Sequence, residues 1–97
     1  MNIAAITACP TGIAHTYMAA KKLEIVAKEL GHQIKVETQG AMGVENELSS
    51  VDLDNAEVVI LAADIAVEKA SRLDGLRTVR IPIHDVLKDA QAVFSQL

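Results

Sequence analysis

Aromatic side chains are nearly missing from this chain of 97 residues. It has no tryptophan, and Tyr17 and Phe94 are its only tyrosine and phenylalanine. A core must therefore be assembled from Ala, Val, Ile and Leu, which suits a parallel sheet covered by helices. The shortage also leaves little to stack on a flavin ring. Cysteine occurs once, at Cys9, which excludes an internal disulfide, a zinc ribbon and a dithiol redox centre. A reduced, cytoplasmic setting follows as the default. No run approaches the ~20 apolar residues that span a bilayer, and no basic stretch precedes an apolar one at the N-terminus, so neither membrane insertion nor a secretion signal is expected. Basic residues are scattered apart from Lys21-Lys22, and the net charge of -4 argues against a nucleic-acid partner.

What is present reads as one domain, 1–97, with strands and helices in alternation. Asn2 to Thr7 is a short apolar run without helical period, a strand buried on both faces that ends near Ala8. From about Thr16, Ala19, Ala20, Leu23, Val26, Ala27 and Leu30 fall on one helical stripe that Gly31 closes. Gln33 to Thr38 alternates as an edge strand does, and residues 39–43 read as a loop. Val44, Leu48 and Val51 suit a short helix, and Glu57 to Ala62 is the strongest strand. Asp64 is placed to cap a third helix through Ala66, Ala70 and Leu73. Thr78 to Ile81 reads as a last edge strand, closed by Pro82, and Asp85 as the cap of a final helix running to Leu97. The order βαβαβαβα predicts an α/β fold: a three-layer αβα sandwich, Rossmann-like, with a four-stranded parallel sheet of order 2-1-3-4.

Cys9 stands where the first strand gives way to the first helix, in Cys9-Pro10-Thr11-Gly12-Ile13-Ala14-His15-Thr16. A thiolate at the foot of a helix is stabilised by converging backbone N–H groups, and a phosphoryl group on sulfur can be cradled by the same donors. Gly12 lets the loop turn inward, and the hydroxyls of Thr11 and Thr16 add donors. Gln39, Gly40 and Asp64 fall at the same end of the expected sheet, beyond the carboxyl ends of the strands where such folds bind ligands. Each residue also has a plain structural reading. Isolated cysteines are commonly inert small hydrophobes, Thr16 suits an N-cap, His15 a first-turn residue and Asp64 a helix cap.

The spacing first suggests a low-molecular-weight tyrosine phosphatase, whose loop carries cysteine, five residues, arginine and then Ser or Thr. Here the same gap leads from Cys9 to His15 and Thr16, so the arginine that would clamp phosphate is replaced. Such a loop suits a protein that holds a phosphoryl group and hands it on. The run Cys9 to Ala20 closely resembles the active loop of the fructose-family enzyme IIB domain of the bacterial phosphotransferase system. Lys35-Val36-Glu37-Thr38-Gln39-Gly40 with Gly43 resembles it too, and Val58 to Asp64 more loosely. The chain departs from the family's usual pattern at Lys21, Arg72-Leu73 and Gly75-Leu76. The resemblance implies a phosphocysteine at Cys9, with Pro10 to Thr16 as its phosphate-binding loop and no metal or nucleotide cofactor. It further implies a IIA domain as phosphohistidine donor and a membrane IIC domain carrying fructose or a related sugar as acceptor. A hydrolytic phosphatase and a non-catalytic anion-binding module on the same fold are the alternatives.

Overall fold

The computed structural model describes residues 1–9 and 14–97. Its elements run β1 (Asn2–Ala8), α1 (Ala14–Glu29), β2 (Gln33–Gly40), β3 (Gly43–Glu45), α2 (Ser50–Asn55), β4 (Val58–Ala63), a 3-10 turn (Ala70–Leu73), β5 (Thr78–Ile81), α3 (Ile83–Lys88) and α4 (Ala90–Ser95). They form one sheet of order β3-β2-β1-β4-β5. Its four long-range strands are parallel, in the order expected from the sequence. β1 and β4 lie centrally and are buried along nearly their whole length, as their continuous aliphatic composition requires.

Two apolar clusters cover the sheet. On one face α1, α3 and α4 pack over Ile3, Ala5, Val36, Val58, Ile60 and Ala62. Alanine at several of these positions lets helix and strand approach closely. On the other face Ala4, Ile6, Val59 and Leu61 meet Leu48, Leu53 and Leu73. α1 buries its Ala19–Ala20–Leu23–Val26–Ala27 stripe and ends in a Schellman motif. His32 N–H reaches Ala27 O at 2.8 Å and Gly31 N–H reaches Lys28 O at 3.1 Å, with Gly31 at φ +79° where a side chain would be strained.

Several expectations need correction. The sheet has five strands, because β2 runs on to Gly40 and turns through Ala41-Met42 into β3, which pairs with it antiparallel. Gly43, at φ +88°, makes that reversal possible, so 39–43 is a hairpin and Val44 is in a strand. α1 starts at Ala14, which puts Thr16 inside the first turn instead of at the N-cap. No α-helix forms between Asp64 and β5. That stretch reaches only the 3-10 turn, preceded by Lys69 in the left-handed region at φ 58°, since its polar backbone groups are taken by side chains from elsewhere, as described below. The final helix is two. Asp89 breaks it with φ -158° and caps α4 by accepting from Ala92 N–H at 3.2 Å. Asp85 lies in the first turn of α3 and does not cap it.

Candidate functional site

β1 is flanked by β2 and β4, and the connections leaving β1 and β4 run in opposite directions across the sheet. The crevice at their carboxyl ends is where open α/β sheets place ligands. Cys9 follows directly on Ala8, the last residue of β1. Ala8 stands opposite Gln39 on one side and Ala63 on the other, and Asp64 N–H donates to Ala8 O at 3.1 Å. The structure thus brings Cys9, Gln39, Gly40 and Asp64 to one end of the sheet. Pro10, Thr11, Gly12 and Ile13, expected to line a phosphate-binding loop, lie outside the described residues.

Alternation along β1 turns Thr7 and Cys9 toward α1. Cys9 is 7% exposed and closes the outer end of the aliphatic cluster on that face. The Thr7 hydroxyl donates to Thr16 O at 3.0 Å, which pins the first turn of α1 to the strand. Thr38 stands opposite Thr7 in the register and therefore shares its face. The hydroxyls of Thr16 and Thr38 are both buried and have no hydrogen-bond partner among the described residues. Two such orphans cost about 1–3 kcal/mol each, and their clustering beside Thr7 marks this end of the sheet as unusually polar for a buried place. Ala14 and His15 are exposed at the start of α1.

The Tyr17 hydroxyl donates to the Glu45 carboxylate, joining α1 to β3 beside the site. That hydrogen bond, with some burial and the Glu45 charge, raises the phenol above its ordinary range. Asp64 is exposed and does act as a cap, although for a different helix than expected. Its Oδ1 accepts from Ile83 N–H at 3.3 Å, at the start of α3.

The sequence reading missed a buried charged network on the opposite face. Glu37 is fully buried on β2. Its Oε1 accepts from Leu48 N–H and from Arg72 Nη1, both at 2.8 Å. Its Oε2 accepts from Gln39 Nε2 at 2.7 Å and from Arg72 Nη2. Burial alone would push this carboxyl up, but the Arg72 and Gln39 hydrogen bonds, the Leu48 N–H and the Arg72 charge together hold it below the ordinary glutamate value. Glu37 in turn raises the Arg72 guanidinium. Gln39 then reaches onward: its Oε1 accepts from Glu68 N–H at 2.8 Å and its Nε2 donates to Glu68 O at 3.2 Å. Glu37 was hidden because β2 alternates like an edge strand, whereas Leu48 and Arg72, from distant parts of the chain, cover its side chain.

Among the described residues no group of three or more His, Cys, Asp or Glu side chains is placed to hold a metal ion. No helix among them is long and apolar enough to cross a membrane. A family model described as "PTS system, Lactose/Cellobiose specific IIB subunit" matches residues 4–96. The chain is 50% identical over 96 residues to the "PTS system fructose-like EIIB component 2" of Escherichia coli strain K12, covering 99% of this chain and 91% of that protein. It is 48% identical over 99 residues to the "Fructose-like PTS system EIIBC component" of the same strain, covering all of this chain but 20% of that longer protein. The crystal structure of a predicted fructose-specific IIB from Escherichia coli superposes with a TM-score of 0.92 at 40% identity, over 97% of this chain and 83% of that one.

Proposed function

We infer what the site does from one premise: the chain belongs to the IIB family of the sugar phosphotransferase system, in its fructose-like group, and is therefore a phosphotransferase component. On our reading Cys9 carries the phosphoryl group. The observation that carries this is its place: the only sulfur nucleophile in the chain follows the central strand at the crevice between β1 and β4, one residue from the foot of the sheet and five from the start of α1.

In the first step the Cys9 thiolate attacks phosphorus of a phosphohistidine on a IIA domain. The S–P bond forms as the P–N bond breaks, and the imidazole leaves with the bonding pair. In the second, a hydroxyl of fructose or a related sugar, held by a IIC domain, attacks phosphorus. The O–P bond forms, the S–P bond breaks, and the hydroxyl proton is lost as the thiolate is restored. Phosphoryl transfer asks mainly for in-line positioning and for donors to the equatorial oxygens. Backbone N–H groups of residues 10–16, with the hydroxyls of Thr11 and Thr16, are assigned that task, and Gln39, Gly40 and Asp64 form the rim. Thr16, buried and without a hydrogen-bond partner among the described residues, supports the assignment, because a bound phosphoryl oxygen would satisfy it. The position of Cys9 at the outer end of the apolar cluster keeps water from the S–P bond once it forms, which suits a carrier better than a hydrolase.

Relatives named EIIBC carry this module inside a longer protein, which supports a IIC partner for this chain. The domain would work on the cytoplasmic side of the membrane, attached through that partner. The test is to incubate the protein with phosphoenolpyruvate, enzyme I, the histidine carrier protein and a IIA domain, and to read its intact mass. One added phosphoryl group, lost in Cys9→Ala, is expected. Rapid release of inorganic phosphate with no labelled protein would instead identify a hydrolase, and an unlabelled protein that binds phosphate would identify a binding module.

A further inference from the structure

Segment 64–69 leaves the carboxyl end of β4, and Glu68 meets Gln39 on β2. β1 lies between those two strands, so the segment crosses the end of β1, next to Cys9. It is tied down at both ends of the crossing. At one, Asp64 N–H donates to Ala8 O and Asp64 Oδ1 accepts from Ile83 N–H. At the other, the Gln39 carboxamide takes both the N–H and the C=O of Glu68. Gln39 is buried, 8% exposed, and the orientation of its carboxamide is set by its partners. Glu37 accepts from its Nε2, which fixes which end of the amide faces Glu68, and Arg72 holds Glu37 by a two-pronged pair. Arg72 Nε also donates to Lys69 O at 3.1 Å, so the same guanidinium holds the segment a second time.

We propose that Gln39 is a positioning residue for phosphoryl transfer: oriented by Glu37 and Arg72, it holds segment 64–69 as a fixed wall across the end of β1 from which Cys9 emerges. The inference rests on the reading of Cys9 as the phosphoryl carrier. Glu68 and its neighbours Ile65, Ala66 and Lys69 are exposed and only Val67 packs against the apolar cluster, so without Gln39 the middle of the wall is held by that contact alone, between the bonds of Asp64 and Lys69. In-line transfer is sensitive to displacements of about 1 Å, which cost as much as ~100-fold in rate.

The experiment compares wild type, Gln39→Leu and Glu68→Pro. The first loses both hydrogen bonds to Glu68; the second deletes the Glu68 N–H from the exposed side and leaves the interior of the sheet alone, which guards against a misfolded Leu variant. The rate of phosphoryl acceptance is measured over a range of phosphorylated IIA concentrations, alongside amide exchange at Glu68. In wild type the Glu68 amide is expected to be protected, and both variants are expected to lose at least about tenfold in the rate at saturating donor, with folding intact by thermal melting. An unprotected Glu68 amide in wild type, or folded variants that accept phosphate at the wild-type rate, would overturn the proposal. So would a loss seen only in KM for IIA, since that places the segment in docking and not in positioning. If wild type itself takes no phosphate, it is the reading of Cys9 that fails, and the two failures are told apart.

Discussion

The two faces of the sheet are held by different physics. The face under α1, α3 and α4 is an aliphatic layer in which Ile60, Ile83, Val86 and Leu23 are sealed from solvent. The other is covered by the six-residue α2, the 3-10 turn and loop residues such as Leu48 and Val67. It has a smaller apolar cluster and relies on a buried carboxylate whose two oxygens accept four hydrogen bonds. Burial is non-directional and tolerant of detail; a buried ion pair is unforgiving of the loss of either member. Cys9 ends the first layer, and Gln39 leads out from the second, so the site sits where the two constructions meet.

The comparison breaks most sharply at Arg72. Arg72→Met leaves Glu37 buried without its main partner and should cost about 3–5 kcal/mol at neutral pH, measured by denaturant unfolding. A loss under about 1 kcal/mol would mean that solvent reaches the carboxylate and that this face is not held as described. The same pair gives an acid signature. Because the folded Glu37 lies below its ordinary value of 4.5, its contribution is complete above that pH and fades as pH falls through the folded value. Wild type should therefore lose more stability from pH 6 to acid than the Glu37→Gln/Arg72→Met double variant, and equal losses would contradict this.

On the aliphatic face the matching change is Ile60→Ala, with an expected cost of about 2–5 kcal/mol and no new pH dependence. A pH-dependent loss there would blur the contrast between the faces. The smallest effect belongs to the exposed pair of Lys35 and Asp52, whose Oδ2 stands 2.8 Å from Lys35 Nζ and also closes a capping box with Ser49. The Lys35 hydrogen bond, with those of Ser49, holds the Asp52 carboxyl at about 2. Lys35→Met should move its titration upward, read by NMR, with the melting temperature almost unchanged. A carboxyl still at about 2 would assign the depression to Ser49 alone.

Which parts of this molecule could be read from the chain follows the same division. The parallel strands and their order were legible because β1 and β4 are uninterrupted aliphatic runs and because alternation with α1 permits few topologies. Gly31 announced the end of α1. The convergence of Cys9, Gln39 and Asp64 followed from topology alone. What stayed hidden depended on side chains from distant elements. Residues 64–73 have the composition of a helix, but Gln39 takes the Glu68 backbone and Arg72 turns inward to Glu37, so tertiary pairing overrides local propensity. The break at Asp89 was hidden because the apolar stripe continues through it from Val86 to Phe94. β3 was missed because three residues carry no period. Glu37 and Arg72 bear opposite charges 35 positions apart, a signal that a single sequence does not connect.

The most direct test of the account is to locate the phosphate. After phosphorylation through the IIA donor, fragmentation of the N-terminal tryptic peptide, which ends at Lys21 and contains both Cys9 and His15, should place one phosphoryl group on the sulfur of Cys9. A phosphoryl group on the exposed His15 imidazole, with Cys9 unmodified, would contradict it.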